Sequence, residues 1–160
     1  MQLTKPVVLF DIDYTLFDTA FFKESGLLKH KIYGEVMQVL DGLNEVATLG
    51  IFSKGESEFQ KTKLKKTGMA KFFKKENIHI FDDKDINLIE VIDKYKDYKI
   101  FLVDDKLGIL YSAKKHMPQV IAIWVKRGPY AQNQTEIIGF KPDAIVDNLS
   151  EVVKIVKSKL

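Results

Sequence analysis

The 160-residue chain contains no cysteine. That excludes a disulfide framework, a thiolate zinc site and a thiol nucleophile, and it accords with a reducing compartment such as the cytoplasm. Long apolar runs are also missing. No stretch approaches the roughly 20 residues needed to cross a bilayer, and the opening MQLTKPVVLF has too short an apolar run for a secretory leader. Charge of one sign is scarce: 25 basic residues face 22 acidic ones, a net charge of +3. This balance slightly favours small anionic ligands and is too weak to argue for nucleic acid. The three histidines, His30, His79 and His116, are scattered without metal-ligand spacing; surface or hydrogen-bonded core roles are favoured. No linker or low-complexity tract divides the chain, which is expected to be one domain, 1–160. What is present, 46% hydrophobic and 29% charged residues, is the composition of a soluble globular protein, expected to be cytoplasmic.

Apolar runs rich in Val, Ile and Phe recur at 7–10, 49–52, 78–81, 100–103, 120–125 and 144–146. They are continuous rather than alternating, as in strands buried on both faces. Between them lie helix-period segments. In 36–48 the inward stripe is Val36, Val39, Leu40, Leu43 and Ala47; in 86–95 it is Ile86, Ile89 and Ile92; in 149–156 it is Leu149, Val152, Val153 and Val156. Gly50 is placed near a helix stop. Strand and helix alternate, which predicts an α/β fold with a mainly parallel central sheet and helices on both faces. Trp124 is expected in the core.

In such sheets ligands bind beyond the carboxyl ends of the strands, so the residues just past each run are the informative ones. They are Asp11-Ile12-Asp13-Tyr14-Thr15, Ser53-Lys54-Gly55, Asp82-Asp83-Lys84 and Asp104-Asp105-Lys106. An apolar run ending in acid, acid, lysine thus occurs twice: as two copies of one site, as unlike parts of one site, or as strand-to-loop punctuation. Asp11 and Asp13, two residues apart, project to the same side of an extended backbone. Carboxylates that close raise one another's pKa unless a cation intervenes. Magnesium suits this role, with its oxygen ligands and its habit of borrowing phosphate oxygens. An aspartate can act as nucleophile, and a second carboxylate can protonate the leaving alcohol and later activate water. A hydroxyl and an ammonium, Ser53 and Lys84, offer stabilisation to phosphoryl oxygens.

These residues resemble the haloacid dehalogenase (HAD) superfamily. Asp11-Ile12-Asp13-Tyr14-Thr15 is similar to its D-x-D-x-T motif, Ile51-Phe52-Ser53 to its second motif, Lys84 to its third-motif lysine and Val103-Asp104-Asp105 to its acidic fourth motif. The order matches to about residue 125. The chain departs from the pattern at Asp85, where proline is common, and at Lys54, where Asn is frequent. The resemblance implies a HAD-like Rossmannoid fold and a phosphatase with a small or absent cap. Asp11 would be nucleophile and magnesium ligand, and Asp13 the general acid/base with its backbone carbonyl on the metal. Thr15 would stabilise the loop, Ser53 and Lys84 would bind phosphate, and Asp104 and Asp105 would serve the metal. Dehalogenating members lack an acid at the position of Asp13, so phosphoryl chemistry is favoured. The family's strand order places strand four beside strand one, which makes the two doublets unlike parts of one site, with Asp82 and Asp83 left to cap a helix.

Lys54 and Lys106 compete with Lys84 for the phosphate contact. The stretch Lys61, Lys63, Lys65, Lys66, Lys71, Lys74 and Lys75 is read as a solvated helix face rather than a patch for an acidic partner. Lys126-Arg127-Gly128 is read as a plain loop before an anion contact. Segment 16–34 is either a minimal helical lid, whose Phe17, Phe21 and Phe22 would stack on a nucleobase, or core packing. The expected partner is a phosphorylated small molecule, a nucleoside monophosphate or a sugar phosphate; an oligomer could enclose the site. Phosphotransferase or mutase chemistry, and a non-catalytic phosphate-binding module, are the alternatives.

Overall fold

A computed structural model describes residues 4–160. Among them six strands form one sheet: β1 (Val7–Phe10), β2 (Thr48–Lys54), β3 (Ile78–Phe81), β4 (Ile100–Asp104), β5 (Ile121–Val125) and β6 (Ala144–Val146). The order across the sheet is β3-β2-β1-β4-β5-β6, and every pairing is parallel. All six apolar runs of the sequence are strands. The chain builds β2 and β3 to one side of β1 and returns to build β4, β5 and β6 on the other. The order therefore reverses between β1 and β4, where a crevice opens at the carboxyl ends.

Why the runs are continuous follows from the layers. Val8 and Phe10 point to one face, where α2 (Val36–Asn44) and α7 (Ser150–Ser158) cover them with Val39, Leu40, Leu43, Val152 and Val156. Val7 and Leu9 point to the other, under α4 (Lys84–Lys94) and α5 (Leu107–His116). Each fully buried aliphatic side chain contributes about 1.5–3 kcal/mol. α1 (Thr19–Glu24), α3 (Ser57–Lys66) and α6 (Gly128–Asn133) complete the described α-helices, and two short 3-10 turns, Met69–Phe72 and Lys75–Asn77, precede β3. No described helix is long and apolar enough to cross a membrane.

Two expectations about local structure are corrected. The helix expected over 36–48 ends at Asn44, and Gly50 lies inside β2 rather than at a helix stop. A Cβ there would sit 2.7 Å from Leu9 Cδ2 and 2.9 Å from the Asn77 carbonyl, so glycine serves the close approach of the turn before β3. In α4 the stripe is rotated: Ile86 and Ile89 are exposed, while Lys84, Leu88, Val91 and Ile92 face inward. Asp83 caps this helix by accepting from the Ile86 amide at 3.2 Å. Capping at Asp83 starts the helix with Lys84 facing inward, and positions four, seven and eight residues on follow it.

Candidate active site

Of the residues singled out in the sequence, Asp11, Asp13, Lys84 and Asp105 line the crevice, while Thr15, Ser53 and Asp104 are buried behind it. Asp11 directly follows β1, and its amide donates to the Val103 carbonyl of β4 at 3.0 Å. Parallel pairing in register, Phe10 beside Val103, then brings the Asp104-Asp105 doublet alongside Asp11. Asp11, Asp104 and Asp105 are buried, and each offers a carboxylate oxygen within 4.8 Å of the others. Lys84 reaches into this cluster from the first turn of α4, with Nζ 2.5 Å from Asp104 Oδ2 and 3.3 Å from Asp11 Oδ1. The doublets are unlike parts: one supplies carboxylates, the other a cation and a helix cap.

The cluster carries more negative charge than one lysine offsets. Burial raises Asp11 above the ordinary carboxylate value, against the opposing pull of Lys84, to about 6. Burial, followed by the charges of Asp11 and Asp104, also raises Asp105. For Lys84 burial alone would lower the pKa, but Asp104 and then Asp11 reverse this, so it is raised and the ammonium stays charged. Both Asp105 side-chain oxygens are buried without a hydrogen-bond partner among the described residues. Unpaired buried carboxylate oxygens are costly, and three hard oxygen donors around one point suit a divalent cation such as magnesium.

Asp13 belongs to a second network. Its Oδ1 accepts from Lys63 Nζ at 2.8 Å and from the Thr19 hydroxyl at 3.0 Å, and its Oδ2 from Gln60 Nε2 at 3.0 Å. Gln60 Nε2 also lies 3.0 Å from Ser53 Oγ and 3.2 Å from the Lys54 carbonyl, so one buried amide ties the end of β2 to the first motif. With Ser53 Oγ accepting from Gln60, its own proton is left with only the Lys54 carbonyl at 3.4 Å, a weak hold. Lys63 is 3% exposed and lies over the rings of Phe17, Phe22 and Phe59, at 5.0, 5.4 and 4.7 Å. This corrects the view of the lysine stretch as wholly solvated. Lys61, Lys65, Lys66 and Lys71 are exposed, but Lys63 is an inward ammonium in an aromatic cage. The usable signal was Phe59-Gln60 followed by Lys63-Leu64, spacings of three and four that put an amide and an ammonium on the buried side of one helix.

Thr15 is fully buried, and its hydroxyl has no partner among the described residues; its amide donates to the Ile12 carbonyl at 3.3 Å. The side chain that ties the loop here is Thr19, whose hydroxyl accepts from the Tyr14 amide at 3.1 Å and donates to Asp13. Tyr14 adopts φ 60°, a left-handed conformation that costs a non-glycine residue about 1 kcal/mol. Arg127 pairs with Glu35 and lies 3.9 Å from the Tyr33 ring centroid, so it braces the scaffold rather than facing the crevice.

A cavity of about 950 Å³ opens over Asp11, Asp13 and Lys84. Segment 16–34 forms part of its wall. Phe17 is closed inside, Phe22 lines the cavity from a buried position, and Phe21 carries the Lys31 ammonium at 4.6 Å. Leu27 and Leu28 are exposed farther along the segment. Lys54 and Lys106 also line the cavity, but it is Lys84 that contacts the carboxylates.

No family model and no curated protein matches the sequence. Solved structures do. A haloacid dehalogenase-like hydrolase from Burkholderia xenovorans is 20% identical, with a TM-score of 0.80 and 98% of both chains covered. The HAD-hydrolase YfnB of Bacillus subtilis, whose structure is bound to magnesium, is 13% identical, with a TM-score of 0.73 over 96% of this chain and 99% of that one. A 2-haloacid dehalogenase from Pseudomonas syringae is 14% identical, with a TM-score of 0.70 over 98% of this chain and 100% of the other. With that strand order, that reversal point and those neighbours, the chain has the fold of the haloacid dehalogenase-like hydrolases.

Proposed function

We propose that the chain is a magnesium-dependent phosphomonoester hydrolase acting through an aspartyl-phosphate on Asp11. The observation that supports this most is the contrast between two acids on one short loop. Asp11 sits in a cluster of three carboxylates that a single ammonium, Lys84, serves, whereas Asp13 is held by three donors of its own. Two acids in such different surroundings can take different tasks, nucleophile and acid/base. Asp11, Asp104 and Asp105, with the Asp13 backbone carbonyl, would hold magnesium, which when bound offsets the carboxylate charge and stabilises charge on phosphoryl oxygens. In the first half, a carboxylate oxygen of Asp11 attacks phosphorus, the bond from phosphorus to the alcohol oxygen breaks, and Asp13 gives that oxygen its proton. In the second, a water oxygen attacks phosphorus, Asp13 takes a proton from it, and the bond to Asp11 breaks to release inorganic phosphate. Ser53, its proton free, and Lys84 hold the phosphoryl oxygens. Thr19, bound to the Tyr14 amide and to Asp13, steadies the loop.

Dehalogenases among the similar structures make carbon–halogen cleavage the reading to test against. The acid at Asp13, and the donors assembled around it, favour phosphoryl transfer. Transfer to a second alcohol in place of water is the nearest variant. The substrate would be a phosphorylated small molecule, with a nucleoside monophosphate and a sugar phosphate as candidates, in a cytoplasmic enzyme whose 16–34 segment acts as a minimal lid. The purified chain is expected to release phosphate from an aryl phosphate only with magnesium, and Asp11→Asn to lose this at least about 10³-fold. Halide release from 2-haloacids without phosphate release, or no turnover of either, overturns the proposal.

A further inference from the structure

A row of four side chains on the cavity wall has no part in the chemistry above. The Lys23 ammonium lies 5.7 Å from the centroid of the Tyr14 ring, Tyr14 meets Tyr130 edge to face at 5.9 Å, and the Lys106 ammonium lies 4.4 Å from the Tyr130 centroid. All four line the cavity that holds Asp11. Neither Lys23 nor Lys106 has a carboxylate within 4.0 Å among the described residues. The carboxylates deeper in are engaged elsewhere: Asp13 with Lys63, and Asp11 with Lys84. Asp105, buried beside Asp11, and Asp85, exposed at the rim, are the remaining lining acids.

Rim lysines are ordinary; this wall is not. Tyr14 keeps its left-handed backbone with its amide bound to Thr19 Oγ1 and to the Phe17 carbonyl at 3.1 Å. Its ring fills the space where Gly128, at φ +79°, would carry a Cβ, which would come within 2.5 Å of the ring. A strained residue whose ring requires glycine opposite is over-determined, and strain of that kind concentrates at ligand-binding positions. The fixed ring is 6% exposed, whereas Tyr130 is 52% exposed, so the wall presents one anchored and one open aromatic between two ammonium groups. A phosphoryl group occupies only a small part of about 950 Å³, which leaves room for the rest of a substrate beside this wall.

We propose that the Lys23–Tyr14–Tyr130–Lys106 row is a subsite for a second anionic group on the alcohol portion of the substrate, so that the preferred substrates are phosphomonoesters bearing a further phosphate or carboxylate. This rests on the phosphatase reading of Asp11. Two partly screened ion pairs give a preference of roughly five- to tenfold, and added salt erodes it.

The test compares matched pairs with magnesium present: glycerol phosphate against phosphoglycerate and glycerol bisphosphate, and a nucleoside 5′-monophosphate against its 3′,5′-bisphosphate. At least one second-anion compound is expected to show the higher kcat/KM, mainly through KM. The carboxylate and phosphate arms report which anion is taken. The ratio should fall to about one in the Lys23→Met/Lys106→Met double variant. Ratios near one in the native chain, or a preference that survives the double substitution, overturn the subsite. Calorimetric binding of the same compounds to Asp11→Asn protein separates the two proposals. Where the native chain shows no turnover, an affinity difference that disappears in Asp11→Asn/Lys23→Met/Lys106→Met sinks only the phosphatase; equal affinities in Asp11→Asn sink the subsite.

Discussion

The loop after β1 carries two aspartates that differ in sequence position by two and in surroundings almost completely. Around Asp11 the protein gathers Asp104 and Asp105 and supplies one ammonium, leaving two carboxylate oxygens of Asp105 buried and unpaired. Around Asp13 it supplies an ammonium, an amide and a hydroxyl. The first group is in electrostatic deficit and can be completed by a divalent cation; the second is complete as it stands. Neighbouring acids acquire different tasks when the environment treats them differently, and here the division comes from which strand or helix each carboxylate faces: β4 for Asp11, α3 for Asp13.

That contrast can be broken from either side. The largest effect is expected from Lys84→Met, which leaves a buried acidic cluster with no cation. Metal-free protein should lose about 3–5 kcal/mol at neutral pH, read by chemical denaturation, and magnesium should restore much of it. Stability equal to the native chain without magnesium would show that the cluster is not in deficit.

Lys63→Met attacks the other side. Methionine fits the aromatic cage, so the fold should hold, while a misplaced Asp13 should lower kcat about 10²-fold for an alkyl phosphate. The loss should be smaller for a nitrophenyl phosphate, whose leaving group needs little protonation, and Lys63→Arg should recover part of it. An equal loss on both substrates would make Lys63 merely structural.

The pH dependence of the metal-free protein tests the deficit more gently. Asp11 and Asp105 are raised in the folded state, so the folded chain binds protons more tightly than the unfolded one. Both stabilisations are fully present below the unfolded value near 3.8; that of Asp11 is lost as pH rises through about 6, and that of Asp105 declines steadily until about 10. The melting temperature without metal should therefore fall between pH 5.5 and 8, and the increase produced by magnesium should grow over the same interval. A magnesium effect that does not change with pH would contradict a proton–metal exchange at this cluster. The smallest change is expected from Gln60→Leu. With Ser53 no longer fixed as a donor, KM should rise by roughly tenfold, the value of about one hydrogen bond to a charged group, with a lesser change in kcat.

Much of this was legible in one dimension. Period and composition located the six strands; for β1, β4 and β5 the reason is local, since a strand buried on both faces has to be apolar. The candidate residues were legible because they stand where apolar runs stop. Less accessible was anything that depends on rotation about a helix axis. Ile86 and Ile89 looked inward because apolar residues usually do; in α4 a lysine claimed that side and turned them to solvent. Lys63 was hidden for the same reason, one inward ammonium among lysines that face water. Thr19 gave no signal as an isolated polar residue, and the spacing that turns Gln60 inward does not name its partner, which lies 47 positions away.

The sequence by itself determined the alternating strands and helices and the order of acids, hydroxyl and lysine at the strand ends, since each is written in contiguous residues. Only the tertiary structure decided that Asp11 shares its surroundings with Asp104, Asp105 and Lys84 while Asp13 answers to Lys63, Gln60 and Thr19. Charge compensation is a matter of distance in space, and the pairing of β1 with β4 and the packing of α3 over the crevice set those distances.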